Sequence, residues 1–225
     1  TNGTDLINVT NSGGLTQSGT TNIVVSANGG IDTSSTFYPL ISYVGTSPGL
    51  SGFTLGTLPG RATGTLTDTG SQIGVTAIND RIIWTGTTDG NWDVNTTTNW
   101  KKTSDSSATN FLTQDDVLFS DDGIAQNTIA LTGTIDPVRV QFAHTSGTYT
   151  IASGALSGSG SMKFAVTGGG TVVLRNTNSY TGPTTIDVGT LELDYDGGTM
   201  TATSVVNVES TGSLRLTDDD GDFTF

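Results

Sequence analysis

The chain contains no cysteine and a single histidine, His144, in the segment VQFAHTSG. Without cysteine there is no disulfide framework, no thiol nucleophile and no thiolate metal site. One histidine is too few for a His-rich metal centre, and one that follows a strand reads as a turn or edge residue rather than a catalytic base. Basic residues are also scarce. Eight Lys and Arg face 21 Asp and Glu, for a formal net charge of −13, and the lysines are confined to positions 101, 102 and 163. Phosphate recognition needs clustered cations, so a nucleic-acid partner is not expected. No apolar run approaches the roughly 18 residues of a membrane span, so no membrane insertion of this segment is expected. Ala, Leu, Glu, Lys and Arg are too sparse to sustain long helices. No GxSxG elbow is present, and the glycines at 168–170 do not fit a Walker pattern.

Threonine, by contrast, outnumbers even the 31 glycines. β-Branched threonine suits strands, and Gly and Asn suit corners. The stretch 168–193, GGGTVVLRNTNSYTGPTTIDVGTLEL, shows how they are combined. TVVL, TTIDV and TLEL read as three short strands, with Val172 and Leu174, Ile186 and Val188, and Leu191 and Leu193 alternating at a period of two. The connections are too short for crossover helices. Such a chain buries its apolar face by coiling on itself, as a β-solenoid. Val172 and Leu191 are 19 residues apart, and Leu191 and Leu214 are 23, so the spacing predicts a three-sided coil of about 20 residues. The expected interior ladder is Val172, Leu174, Ile186, Val188, Leu191, Leu193, Val206, Val208, Leu214 and Leu216.

The same residues resemble the autotransporter-associated β-strand repeat of Gram-negative surface proteins, in which G-x-G, L-x-L, N-x-Y-x-G-x-T and G-x-L-x-L follow one another. The matching residues are Gly168, Gly170, Val172, Leu174, Asn178, Tyr180, Gly182, Thr184, Gly189, Leu191 and Leu193. The resemblance implies a secreted or cell-surface, right-handed parallel β-helix in a passenger. The absence of cysteine suits such a protein, which must cross an oxidising periplasm.

Two regions divide by pattern. Residues 1–80 read as the end of one β-helical unit plus cap-like strands. DLINVTNSGGL and TNIVVSANGG carry Gly-ended strands, and the aromatic-rich 31–80 resembles the cap region of passengers. Residues 81–225 read as the start of a second unit, Trp-rich over 81–122 and coiled over 123–225. Leu6–Leu15 can be laid on Val205–Leu214, with Asn8, Val9, Gly13 and Leu15 matching Asn207, Val208, Gly212 and Leu214, and internal repetition of this kind points to a solenoid. RIIWTGTTDGNWDVNTTTNW resembles a start signal of the same family through Trp84, Gly86, Trp92, Asn99 and Trp100. The three tryptophans read as a structural cluster, a sugar-stacking platform or an interface hot spot.

Sites are few. Acidic pairs at Asp115–Asp116 and Asp121–Asp122 sit in what read as turns, and with the bases scattered no enzyme is expected. Asp218, Asp220 and Asp222 alternate like the first ligands of an EF-hand loop, but Phe223 stands where its glycine belongs. No cofactor is expected, with calcium at these aspartates as the one candidate. The chain lacks a signal peptide and Thr1 is not an initiator, so a processed protein or excised segment is expected, with both ends reading as uncapped. The reading is a structural or adhesive passenger segment whose partners are other copies of the same repeat, head to tail. The alternatives are a self-assembling subunit of an extracellular filament or surface layer, and a carbohydrate-binding module for surface glycans.

Overall fold

A computed structural model describes residues 6–26, 31, 34–158, 163–194 and 205–217. The fold is all-β with 3% helix. The chain divides into two compact units, one formed by residues 1–27 and 31–79 and the other by 28–30 and 80–225.

In the first unit, β1 (Ile7–Val9) and β2 (Thr21–Ile23) precede β3 (Thr36–Tyr43), β4 (Phe53–Leu55), β5 (Ala62–Asp68) and β6 (Gln72–Asn79). β1 lies parallel to β3, with Ile7, Asn8 and Val9 opposite Ile41, Ser42 and Tyr43. β2 lies parallel to β4. Parallel partners so far apart in the chain require a full circuit between them, so these four strands form one coil laid on the next. β3 then pairs antiparallel with β6, and β5 forms a hairpin with β6. Tyr43, Phe53 and Ile73 are buried here, with Val9, Leu15, Ile23 and Ile41 packed against them.

The second unit opens with β7 (Ile82–Trp84), β8 (Asn91–Trp92), β9 (Trp100–Lys102) and β10 (Ala108–Thr109), followed by β11 (Asp116–Phe119). β9 lies antiparallel on β7, and β10 antiparallel on β9. From β11 onward, every pairing among the described residues is parallel. β12 (Thr128–Ile135), β13 (Arg139–Phe142), β14 (Thr148–Leu156), β15 (Lys163–Val166), β16 (Thr171–Leu174), β17 (Thr184–Asp194) and β18 (Val206–Thr217) stack as rungs. On one face Val117, Val140, Phe164, Thr184 and Val206 fall in register. On another Tyr149, Val172, Leu191 and Leu214 do so. A third face is short: the Ser157 amide donates to the Ile135 carbonyl and the Ser179 amide to that of Leu156. The result is a β-solenoid of about four turns with about 23 residues per turn.

The coil length agrees with expectation, and two other expectations need correction. Register steps along the ladders run from 19 residues, Val172 to Leu191, to 24, Val140 to Phe164, with about 23 per turn, in keeping with the expected coil of about 20. A 3-10 helix, Asp121–Gln126, connects β11 to β12, and its N-cap Ser120 accepts from the Asp122 amide through its hydroxyl. TTIDV and TLEL form one strand, β17, with a register shift between Ile186 and Val188 that turns Val188 outward to 40% exposure. Val208 and Leu214, on the last described rung, are 47% and 37% exposed, although both stand on interior registers. Val172, Leu174, Ile186, Leu191 and Leu193 are buried, and Val206 and Leu216 pack against them.

Candidate functional site

The repeat stretch is held together by steric and polar locks. His144 ends the rung that begins at β13, and its Nε2 lies 3.1 Å from the Thr171 carbonyl. A carbonyl only accepts, so Nε2 carries the proton. The ring is fully buried, packed edge-on against Tyr149 at 4.9 Å. It is therefore an interior residue and not an edge one. Burial pushes its pKa below the ordinary value, with contacts to the backbone opposing the shift. Gly168 and Gly170 lie directly over it: a Cβ at Gly170 would overlap the imidazole, and one at Gly168 the His144 carbonyl. The G-x-G of the repeat thus marks where one coil rests on the previous coil's histidine. Gly189 supplies the corner between the halves of β17, at φ +84°, a conformation that disfavours a side chain.

The polar residues of the motif point inward. Asn178 accepts from the Leu156 amide of the coil below and exchanges hydrogen bonds with Asn176, both buried. Tyr180 stacks on Phe164 at 6.0 Å, and its hydroxyl lies 2.8 Å from that of Thr184, which is fully buried. Burial raises the phenol pKa to about 12. Gly182 is buried at the corner between them, and Leu191 and Leu193 carry the ladder on. The sequence reading missed Asn176, whose only signal was its place two residues before Asn178 in RNTN.

The tryptophans are buried: Trp84 and Trp92 are 0% exposed and Trp100 is 1%. Trp100 packs edge-on against Trp84 at 5.0 Å and Trp92 at 5.1 Å, and Phe119 touches all three. Phe119 stacks on Phe142 at 4.6 Å, which carries the aromatic column into the coils. None of the three indoles offers a free face to a sugar ring, so Trp84, Trp92 and Trp100 are not a carbohydrate platform in this fold. Their loop is organised by buried Asn99, which donates to Asp89 (2.7 Å) and the Asn91 carbonyl, and accepts from the Thr88 and Asp89 amides. The Asn91 amide, followed by Asn99, holds the Asp89 carboxyl below its ordinary pKa.

Asp116 is not in a turn. It opens β11, fully buried, between Arg81 (3.0 Å) and Arg139 on the flanking rungs. Asp115 accepts from the Leu112 amide, while Asp121 accepts from the Thr145 amide and hydroxyl. Asp122 pairs with Lys101 at 2.9 Å. These carboxylates are tied to the scaffold. Asp218, Asp220 and Asp222 lie outside the described residues. Among the described residues, no group of three or more His, Asp or Glu converges on a point, and no helix is long and apolar enough to cross a membrane.

Comparison with curated proteins and with solved structures gave no match. Residues 164–193 match the family described as Passenger-associated-transport-repeat. This stretch, which holds Gly168, Gly170, Asn178, Tyr180, Thr184, Gly189 and Leu191, is similar to the repeats of autotransporter passengers and lies within a β-solenoid.

Proposed function

We propose that this chain is a rigid structural segment of a secreted or cell-surface passenger, a stalk that holds an adhesive or other activity away from the cell. The observation that carries this reading is the coincidence of the passenger-repeat match with a continuous stack of parallel rungs. Stacked rungs share backbone hydrogen bonds along the axis and bury one apolar ladder, so length is added without a larger core. The proposal includes no catalytic role. What supports this is that His144 is sealed in the interior and that the paired acids are held by Arg81, Arg139, Lys101 and backbone amides.

The test is surface delivery. The chain is fused ahead of an outer-membrane barrel translocator, and its exposure is scored with external protease. Gly189→Val, which breaks the β17 corner, should lower delivery or leave the segment protease-sensitive, while Val188→Asp, beside it on the surface, should not. Equal delivery and equal protease resistance for both variants would remove the structural reading. Turnover of a polysaccharide by the intact chain would replace it with an enzymatic one.

A further inference from the structure

Two edge strands, one in each unit, are related to each other. Among the described residues, β18 is paired on one edge only, with β17, and β1 on one edge only, with β3. Laying Leu6–Leu15 on Val205–Leu214 puts β1, Ile7–Val9, onto residues 206–208 of β18. The overlap is therefore one of strand position as well as of residue type. Each of the two strands is parallel to its neighbour, and each has an exposed asparagine, Asn8 or Asn207, as its second residue.

The two strands differ in what covers them. Val9 and Leu15 pack beside Tyr43, Phe53 and Ile73. Their counterparts Val208 and Leu214 are 47% and 37% exposed. β1 is itself a weak strand: it has three residues, and Ile7 is 61% exposed. β18 has twelve residues and is anchored along its length by β17. β18 comes one rung after β17, as β3 comes one rung after β1. If both coils have the right-handed sense that parallel crossovers favour, the edge of β18 away from β17 is the edge that β1 presents to β3.

We propose that β18 of one copy of this chain takes the place of β1 on β3 of a second copy, with Val206, Asn207 and Val208 opposite Ile41, Ser42 and Tyr43. Val208 and Leu214 would then cover the Tyr43–Phe53–Ile73 cluster, as Val9 and Leu15 do within one chain. The exchange is strand displacement, in which the open edge of β18 takes the edge of β3 that β1 holds within one chain. Because the two surfaces differ, it is head to tail and propagates into a filament. It rests on the reading of the chain as a stackable passenger segment, and adds a partner and a register.

The absence of cysteine makes the register testable by disulfide trapping. Chain carrying Asn207→Cys is mixed with chain carrying Ser42→Cys in three backgrounds: unaltered, with Val9→Asp to loosen β1, and with residues 1–15 removed. Asn8→Cys with Ser42→Cys in one chain is the positive control, since these two are opposite each other within β1 and β3. Thr217→Cys replaces Asn207→Cys as the register control. The expected result is a disulfide-linked dimer from the 42/207 pair and none from 42/217, with the yield rising when β1 is loosened or removed. No 42/207 dimer in any background that keeps its strand-type circular dichroism, or equal yields from 42/207 and 42/217, would overturn the exchange. Either result would leave the passenger reading standing, whereas loss of the strand spectrum in the unaltered chain would remove that reading instead.

Discussion

At the residue scale, the repeat glycines are explained by what lies beneath them. Gly170→Ala places a methyl group in the His144 ring, and overpacking of this kind costs about 1–3 kcal/mol. His144→Ala empties that space, so the double variant should be more stable than the sum of the single losses, as read by a double-mutant cycle in urea. Additive losses would mean that the contact does not limit the site. His144 also makes stability depend on pH. Burial lowers its folded pKa, so the unfolded chain, with a value near 6.5, takes the proton first. Its contribution is complete above that value and is lost as pH falls from it through the folded pKa, at no more than about 1.4 kcal/mol per pH unit. Urea midpoints of the native chain should drop between about pH 6.5 and 5, above the usual carboxylate range, and those of His144→Gln should stay flat there. The G-x-G pattern was legible in the sequence, but its cause was not, because His144 and Gly170 meet only when one coil lies on another.

At the scale of the element, β17 shows how far alternation can be read. Leu191 is fully buried and in register with Val172 and Leu214, whereas Val188 is turned out by the bulge before Gly189. Leu191→Asp buries an unpaired charge and should cost about 3 kcal/mol or more. Val188→Asp meets solvent and should cost about 0.5 kcal/mol or less. Comparable losses in chemical denaturation would mean that the bulge is absent in solution. A period of two assigns a face only while the strand is regular, and one extra residue reverses it. The acidic residue that opens β11 shows the same limit. DDVLF reads as polar followed by apolar, yet Asp116 is buried because Arg81 and Arg139 arrive from the rungs on either side.

For the whole molecule, the two units are chemically distinguishable, because all three tryptophans lie in the second. Residues 80–225 expressed alone should keep the blue-shifted emission of buried indoles and a strand-type circular dichroism spectrum. In the full chain, the fluorescence transition on denaturation should report this unit alone, so a circular dichroism transition with a second step identifies the first. A red-shifted emission from the fragment would show that the Trp84–Trp92–Trp100 cluster depends on residues 1–79. The cluster fills the solenoid core at its first coil, where β9 lies antiparallel over β7. Its edge-on pairs add about 0.5–1.5 kcal/mol each beyond the area they bury.

Local chemistry by itself determined the class of this protein. Period-two apolar pairs, Gly and Asn corners and scarce helix formers leave a coiled stack of strands as the way to bury the ladder, and the repeat motif was readable over 168–193. What only the tertiary structure decided was everything that depends on the vertical neighbour. The burial of Trp84, Trp92, Trp100, Asn176, Asp116 and His144 follows from residues one rung away, more than 20 positions distant in most cases. In a solenoid the contacts that define a side chain's surroundings come from the coils above and below, and the linear chain carries their periodicity but not their register.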